Sequence, residues 1–219
     1  MIVRSTNTRL IVAFLWLSMG SEASPASAEA TASWREFRIG MGHQEVEGAA
    51  RRAGLRRVTR SSEMFRGIAC SEARQRELSE CVQMRVQYAN LDGVRRLSHM
   101  EVEVNLTSAI HVAILMEGAA ARYGVPAREY SFGTEGRSTI FYVVNEWRAL
   151  AGGFPANISL TADLVDHLSN PSPSLLSEPE VRRNARTRHY RLVITSEEMR
   201  IRDREQAVRA SRQQPSPRF

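Results

Sequence analysis

The residues best suited to acid–base or metal chemistry are few and scattered. Five histidines stand at positions 43, 99, 111, 167 and 189, and no spacing brings two of them into one ligand motif. Asp163 and Asp166, with His167 beside them, put ligand types close together. Acids following "ISLT" more simply mark a helix start, where the helix dipole favours negative charge. Glu101 and Glu103 fall on one side of an alternating segment, about 7 Å apart by strand geometry. That separation approaches the one retaining glycosidases use, but it is also the ordinary wet side of a strand. His43 at a helix start reads as a surface residue, and His99 as a solvated one. The chain carries no G-x-S-x-G elbow, no H-E-x-x-H, no P-loop and no cysteine cluster. The sequence therefore offers no catalytic, cofactor-binding or metal-binding residue.

One segment imitates a cofactor loop. In "FRIGMGHQEVEGAARRAGLRRV", Gly40 and Gly42 begin a G-x-G-x-x-G pattern, but its third place is Glu45. A carboxylate there removes the close helix–strand packing and faces the phosphates. The segment instead describes a short helix over residues 43 to 53. Val46, Ala49, Ala50 and Ala53 form one apolar stripe, Glu45 and Glu47 occupy the first turns, and Gly54 stands where a left-handed residue ends the helix.

Beyond Gly54 the chain has strand grammar. "GLRRV" leads into "EMFRGIA". Val82, Met84, Val86 and Tyr88 alternate with polar residues. Asp92-Gly93 is a hairpin turn, and Met100, Val102, Val104 and Leu106 alternate on the return strand. The order then repeats. A helix is expected from Ser108, with Ile110, Ala113, Ile114 and Ala121 on its inner face, stopped by Gly124 and Pro126. "REYSF", "RSTIFYVVNEW", "ANISLTA" and "TRHYRLVIT" read as strands, with a long loop at "HLSNPSPSLLSEPE". Thr195 and Glu198 form a capping box for a last helix. Trp34, Trp147, Tyr123 and Tyr142 read as core and rim packing. The expected fold is α+β: two helix-plus-antiparallel-sheet modules in tandem, with one continuous sheet as an option, and a C-terminal helix.

The amino terminus places the chain. Arg4 and Arg9 precede the apolar run Leu10–Leu17, and small residues end at Ala26-Ser27-Ala28. This is the layout of a secretory signal cleaved after Ala28; eight apolar residues fall far short of the roughly 20 that span a bilayer. All thirty basic residues are arginine, which suggests a GC-rich genome and, with the leader, a bacterial periplasm. Cys70 and Cys81 are the two cysteines of an exported chain and read as one structural disulfide around a polar loop.

The expected organisation is residues 1–28 as signal peptide, 29–107 and 108–195 as the two modules, and 196–219 as a basic C-terminal helix and disordered tail. After cleavage 28 arginines oppose 23 acids; residues 180–219 hold eleven of those arginines and five acids, so the remaining body is close to neutral. Arg200, Arg202, Arg204, Arg209 and Arg212 could touch an anionic surface weakly. Nucleic acid is not an expected partner, because the export signal removes it and aromatic interleaving is missing.

"IGMGHQEVEGAARRAGL" resembles the Gly-Met-x-x-x-x-Val helix opening of the SmpA/OmlA (BamE) outer-membrane assembly family, and is similar to the β-lactamase-inhibitor proteins that share that fold. Gly40, Met41, Val46 and Gly54 carry the likeness. Gly42 stands where the family has a Ser or Thr cap, and the assembly lipoproteins' lipobox cysteine is absent. The resemblance implies tandem helix-plus-sheet modules and a short intramodule disulfide loop such as Cys70–Cys81 would close. With the missing catalytic set, it implies a non-catalytic periplasmic protein, a protein-binding or envelope scaffold module with an envelope protein partner. The alternative is an exported enzyme acting on cell wall or another envelope substrate.

Overall fold

The computed structural model describes residues 31–59, 63–67, 80–133, 141–164 and 185–213. At positions 130–133, 141 and 213 it describes the backbone alone. The segment 1–28, Cys70, Asp166, His167, the proline-rich loop and the tail after Gln213 lie outside the described residues.

Two short strands, β1 (Ser33–Trp34) and β2 (Phe37–Arg38), form a small antiparallel ribbon. Helix α1 (His43–Arg52) comes next. Its start is closed by the Glu45 carboxylate, which accepts the Gly42 backbone N–H at 2.6 Å, so Glu45 serves as half of a capping box. Gly54, at φ 70°, turns the chain out of the helix. Strands β3 (Leu55–Arg57), β4 (Met64–Gly67), β5 (Glu80–Leu91) and β6 (Val94–His111) form the first antiparallel run. Asp92 and Gly93, both at positive φ, make the β5–β6 turn, as the hairpin rule requires. Helix α2 (Val112–Tyr123) opens the second run of β7 (Arg128–Gly133), β8 (Phe141–Ala151), β9 (Phe154–Leu164) and β10 (Arg186–Thr195). Helix α3 (Glu197–Gln213) closes the described chain.

The two runs join into one eight-stranded sheet of order β3-β4-β5-β6-β10-β9-β8-β7. The last strand of each half therefore meets the other at the centre. One face is apolar. Met84 and Val86, Met100, Val102 and Val104, Leu192 and Ile194, Ile158 and Leu160, and Val143 and Trp147 are buried there in a common core with Val46, Ala49 and Ala50 of α1 and Met116 and Ala119 of α2. The two helices cover this face. Tyr123 ends α2 against Trp147, ring centroids 5.6 Å apart, and its hydroxyl donates to the Ser33 carbonyl at 2.6 Å. Burial pushes the pKa of that hydroxyl up to about 12, so it stays a donor.

Three expectations need correction. The segment 108–111 continues β6, because Ile110 and His111 pair with Thr187 and Arg186 of β10. Helix α2 therefore starts at Val112, and its buried face is Val112, Met116, Ala119 and Tyr123; Ile114 points outward at 47% exposure. Asp163 belongs to strand β9 and starts no helix. Thr195 is the last residue of β10, and Ser196 caps α3 by accepting the Met199 N–H at 3.5 Å. The cap lies one residue later than the pattern suggested, since Thr195 still pairs with His99 and Asn157.

Candidate functional site

The face opposite the core is built by the alternate residues of the same strands. Reading the register across β5, β6, β10 and β9 gives parallel rows. One row is Gln87, His99, Thr195 and Asn157; the next is Arg85, Glu101, Val193 and Ser159; a third is Gln83, Glu103, Arg191 and Thr161. Successive residues point to opposite sides of a strand, so the charged members collect on one face while their apolar neighbours enter the core. Among the described residues no helix covers the middle of this face. Helix α3 lies across one end, where the Gln206 side chain bonds Asp92 of the β5–β6 turn and Arg202 sits over the Phe154 ring.

Two ionic groupings organise the face. Glu101 accepts from Arg85 at 3.1 Å and from Arg191 at 3.4 Å, which links β5, β6 and β10. His189 of β10 and Asp163 of β9 meet through Nδ1 and Oδ2 at 2.5 Å. A register shift between Thr187 and His189 interrupts both pairings of β10, and the Thr187 hydroxyl bonds the His189 backbone on both sides. Such a bulge re-aims a side chain. The hydrogen bond to Asp163 raises the His189 pKa above the ordinary histidine value, against the opposing effect of burial.

The other described histidines are apart from one another. His99 sits on the polar face beside α3, and burial lowers its pKa. Its Nδ1 and the Thr195 hydroxyl opposite it are buried without a hydrogen-bond partner, so His99 is not the solvated residue expected. His43 is half-buried, not a free surface residue. Its ring packs edge-on to Tyr88 at 5.2 Å, and Nε2 lies 3.5 Å from Arg57, which is itself paired with Glu47. His111 is exposed at the end of β6.

Glu101 and Glu103 do share a face, but Glu101 is held between two arginines, a binding contact more than an acid–base one. Trp34, Trp147 and Tyr123 are buried, and Tyr142 is half-buried on the polar face. Cys81 is buried at the start of β5, and no described cysteine is a free thiol. Of the tail arginines, Arg200, Arg202, Arg204 and Arg209 pair with acids of their own helix. Among the described residues no three potential metal ligands cluster, and no helix is long and apolar enough to cross a membrane.

The sequence missed the His189–Asp163 pair, twenty-six residues apart, and the Arg85–Glu101–Arg191 link. The alternation that placed Glu101 outward was the available signal for the second; the first needs the β9–β10 register, which no local pattern encodes. Comparison with protein-family models, curated proteins and solved structures finds no match to this chain.

Proposed function

We propose that this chain is an exported, non-catalytic binding module of the bacterial envelope that presents the polar face of its sheet to a protein partner. The observation that carries this reading is the division of the sheet. Two helices cover one face, while the other displays a broad array of charged and amide side chains at its middle. Arg85, Glu101 and Arg191, and His189 with Asp163, bond each other across strands and spread charge over the face, as complementary binding surfaces do. The likeness to the BamE and β-lactamase-inhibitor fold is part of the proposal. It is supported by the repeated order α1-β3-β4-β5-β6 and α2-β7-β8-β9-β10. Export rests on the leader ending at Ala28, and a disulfide between Cys70 and Cys81 on the oxidising compartment that export implies.

The test is capture from a periplasmic extract with three forms of the mature chain. The unaltered chain and Glu117→Arg, on the exposed side of α2, should retain the same protein. Glu103→Arg with Thr161→Arg, both on the polar face, should lose it. Equal capture by all three forms would overturn the reading.

A further inference from the structure

The second half of the polar face contains a depression of about 490 Å³ whose polar lining is Arg128, Glu146, Arg148, Asn157 and Ser159. The register explains why these five converge. Arg128 stands opposite Glu146, which stands opposite Ser159, and Arg148 stands opposite Asn157 one row along. Directly paired residues lie about 5 Å apart and diagonal ones about 7–8 Å, so the two guanidinium groups flank one small space. The intervening Trp147 and Ile158 turn into the core and are almost fully buried. Backbone therefore floors the depression.

Two features mark this place. Arg85 and Arg191 are tied to Glu101, whereas the side chains of Arg128 and Arg148 show neither a hydrogen bond nor an ion pair among the described residues and both residues are exposed. The row through Arg148 and Asn157 also continues to Thr195 and His99. The Thr195 hydroxyl and His99 Nδ1 are buried polar atoms without partners, and buried polar groups ordinarily have them. Thr195, next to Asn157 in that row, therefore carries an unsatisfied hydroxyl.

We propose that this depression receives a carboxylate side chain from an acidic segment of the partner protein, held between Arg128 and Arg148 while Asn157 and Ser159 bond the segment's backbone. The inference rests on the polar face being the partner surface. Charge selects the ligand class: two exposed guanidinium groups at one depression favour an anion, and a protein partner offers it as a side-chain carboxylate. A phosphate group, with a charge of about −1.5 to −2, is the competing anion, and the third arm of the test separates the two. Arginine suits the role because its planar fork can give a carboxylate two parallel hydrogen bonds.

The test uses the mature chain with a capped hexaglutamate peptide as probe, hexalysine as control, and inorganic phosphate as a third arm. At low ionic strength hexaglutamate should shift the Nε–Hε resonances of Arg128 and Arg148. The double variant Arg128→Gln, Arg148→Gln should bind it roughly tenfold more weakly, as expected for two exposed charge pairs. Arg66→Gln, on the far half of the sheet, should bind as the unaltered chain does. Undiminished binding by the double variant, or shifts confined to the arginines of α3, would refute the assignment. So would a response to phosphate with none to the peptide. If Glu103→Arg with Thr161→Arg abolishes capture from extract while the double arginine variant preserves it, the acidic-segment inference fails alone. If neither set affects capture, the polar-face reading fails with it.

Discussion

The His189–Asp163 contact is where a single residue makes the molecule responsive to pH. The folded-state pKa of His189 lies above its ordinary value of 6.5, chiefly through the hydrogen bond to Asp163. A raised histidine pKa stabilises the fold most when the ring is charged. The contribution is complete below the unfolded value and is lost as pH rises through the folded one. Glu103 favours the charged ring and Arg191 opposes it. Asp163→Asn should therefore move the His189 titration, followed by its ring proton resonances, to lower pH. An unmoved midpoint would mean that the contact does not hold in solution. Tyr123 offers a second test. Its hydroxyl and the Arg122 Nε both donate to the Ser33 carbonyl. Tyr123→Phe thus leaves that carbonyl one partner, and the loss should be near the net value of one hydrogen bond, about 1 kcal/mol, in denaturant unfolding.

At the scale of elements, α1, the β5–β6 hairpin and the stop of α2 were legible because each is encoded locally. Val46 and Ala50 carry a helical period, Val82 to Val86 a period of two, and Gly54, Gly93 and Gly124 take positive φ. The start of α2 was not legible. "SAIHVAIL" satisfies a helix pattern, and only pairing of Ile110 with a strand seventy-seven residues later holds it extended. The binding depression was hidden for the same reason, since its lining comes from three strands whose register is not written in any one of them. The corrected face of α2 can be tested directly. Met116→Ala should cost about 2–4 kcal/mol, as large-to-small core changes do. Ile114→Ala, on the outer side, should stay within about 0.5 kcal/mol. Similar costs at both positions would contradict the packing. On α1, Val46→Asp places an unpaired charge at a fully buried position and should destabilise the protein by at least about 3 kcal/mol.

For the whole molecule, the proposed export and the two cysteines give a prediction about the mature product. Its amino terminus should be Glu29, and its mass should fall two protons short of the reduced chain, with a Cys70–Cys81 peptide surviving digestion. Two free thiols would remove the disulfide and weaken the compartment reading with it. The basic terminus has a narrower electrostatic reach than its arginine count suggests, because Arg200, Arg202, Arg204 and Arg209 pair with three acids of α3, Arg200 and Arg204 sharing Glu197. Contacts of this exposed kind contribute little stability and weaken with salt.

The meeting of β6 and β10 at the centre of the sheet has a consequence for folding. The hairpins on either side close from neighbouring residues, but Glu101 and Val193 must find each other across ninety-two positions, and such distant pairings form slowly. Every row of the polar face crosses this seam. A protease that removes residues 186–195 would leave two half-surfaces and no complete row. A partner that reads across the rows, as proposed, would therefore meet its full surface only after β10 has docked between β6 and β9.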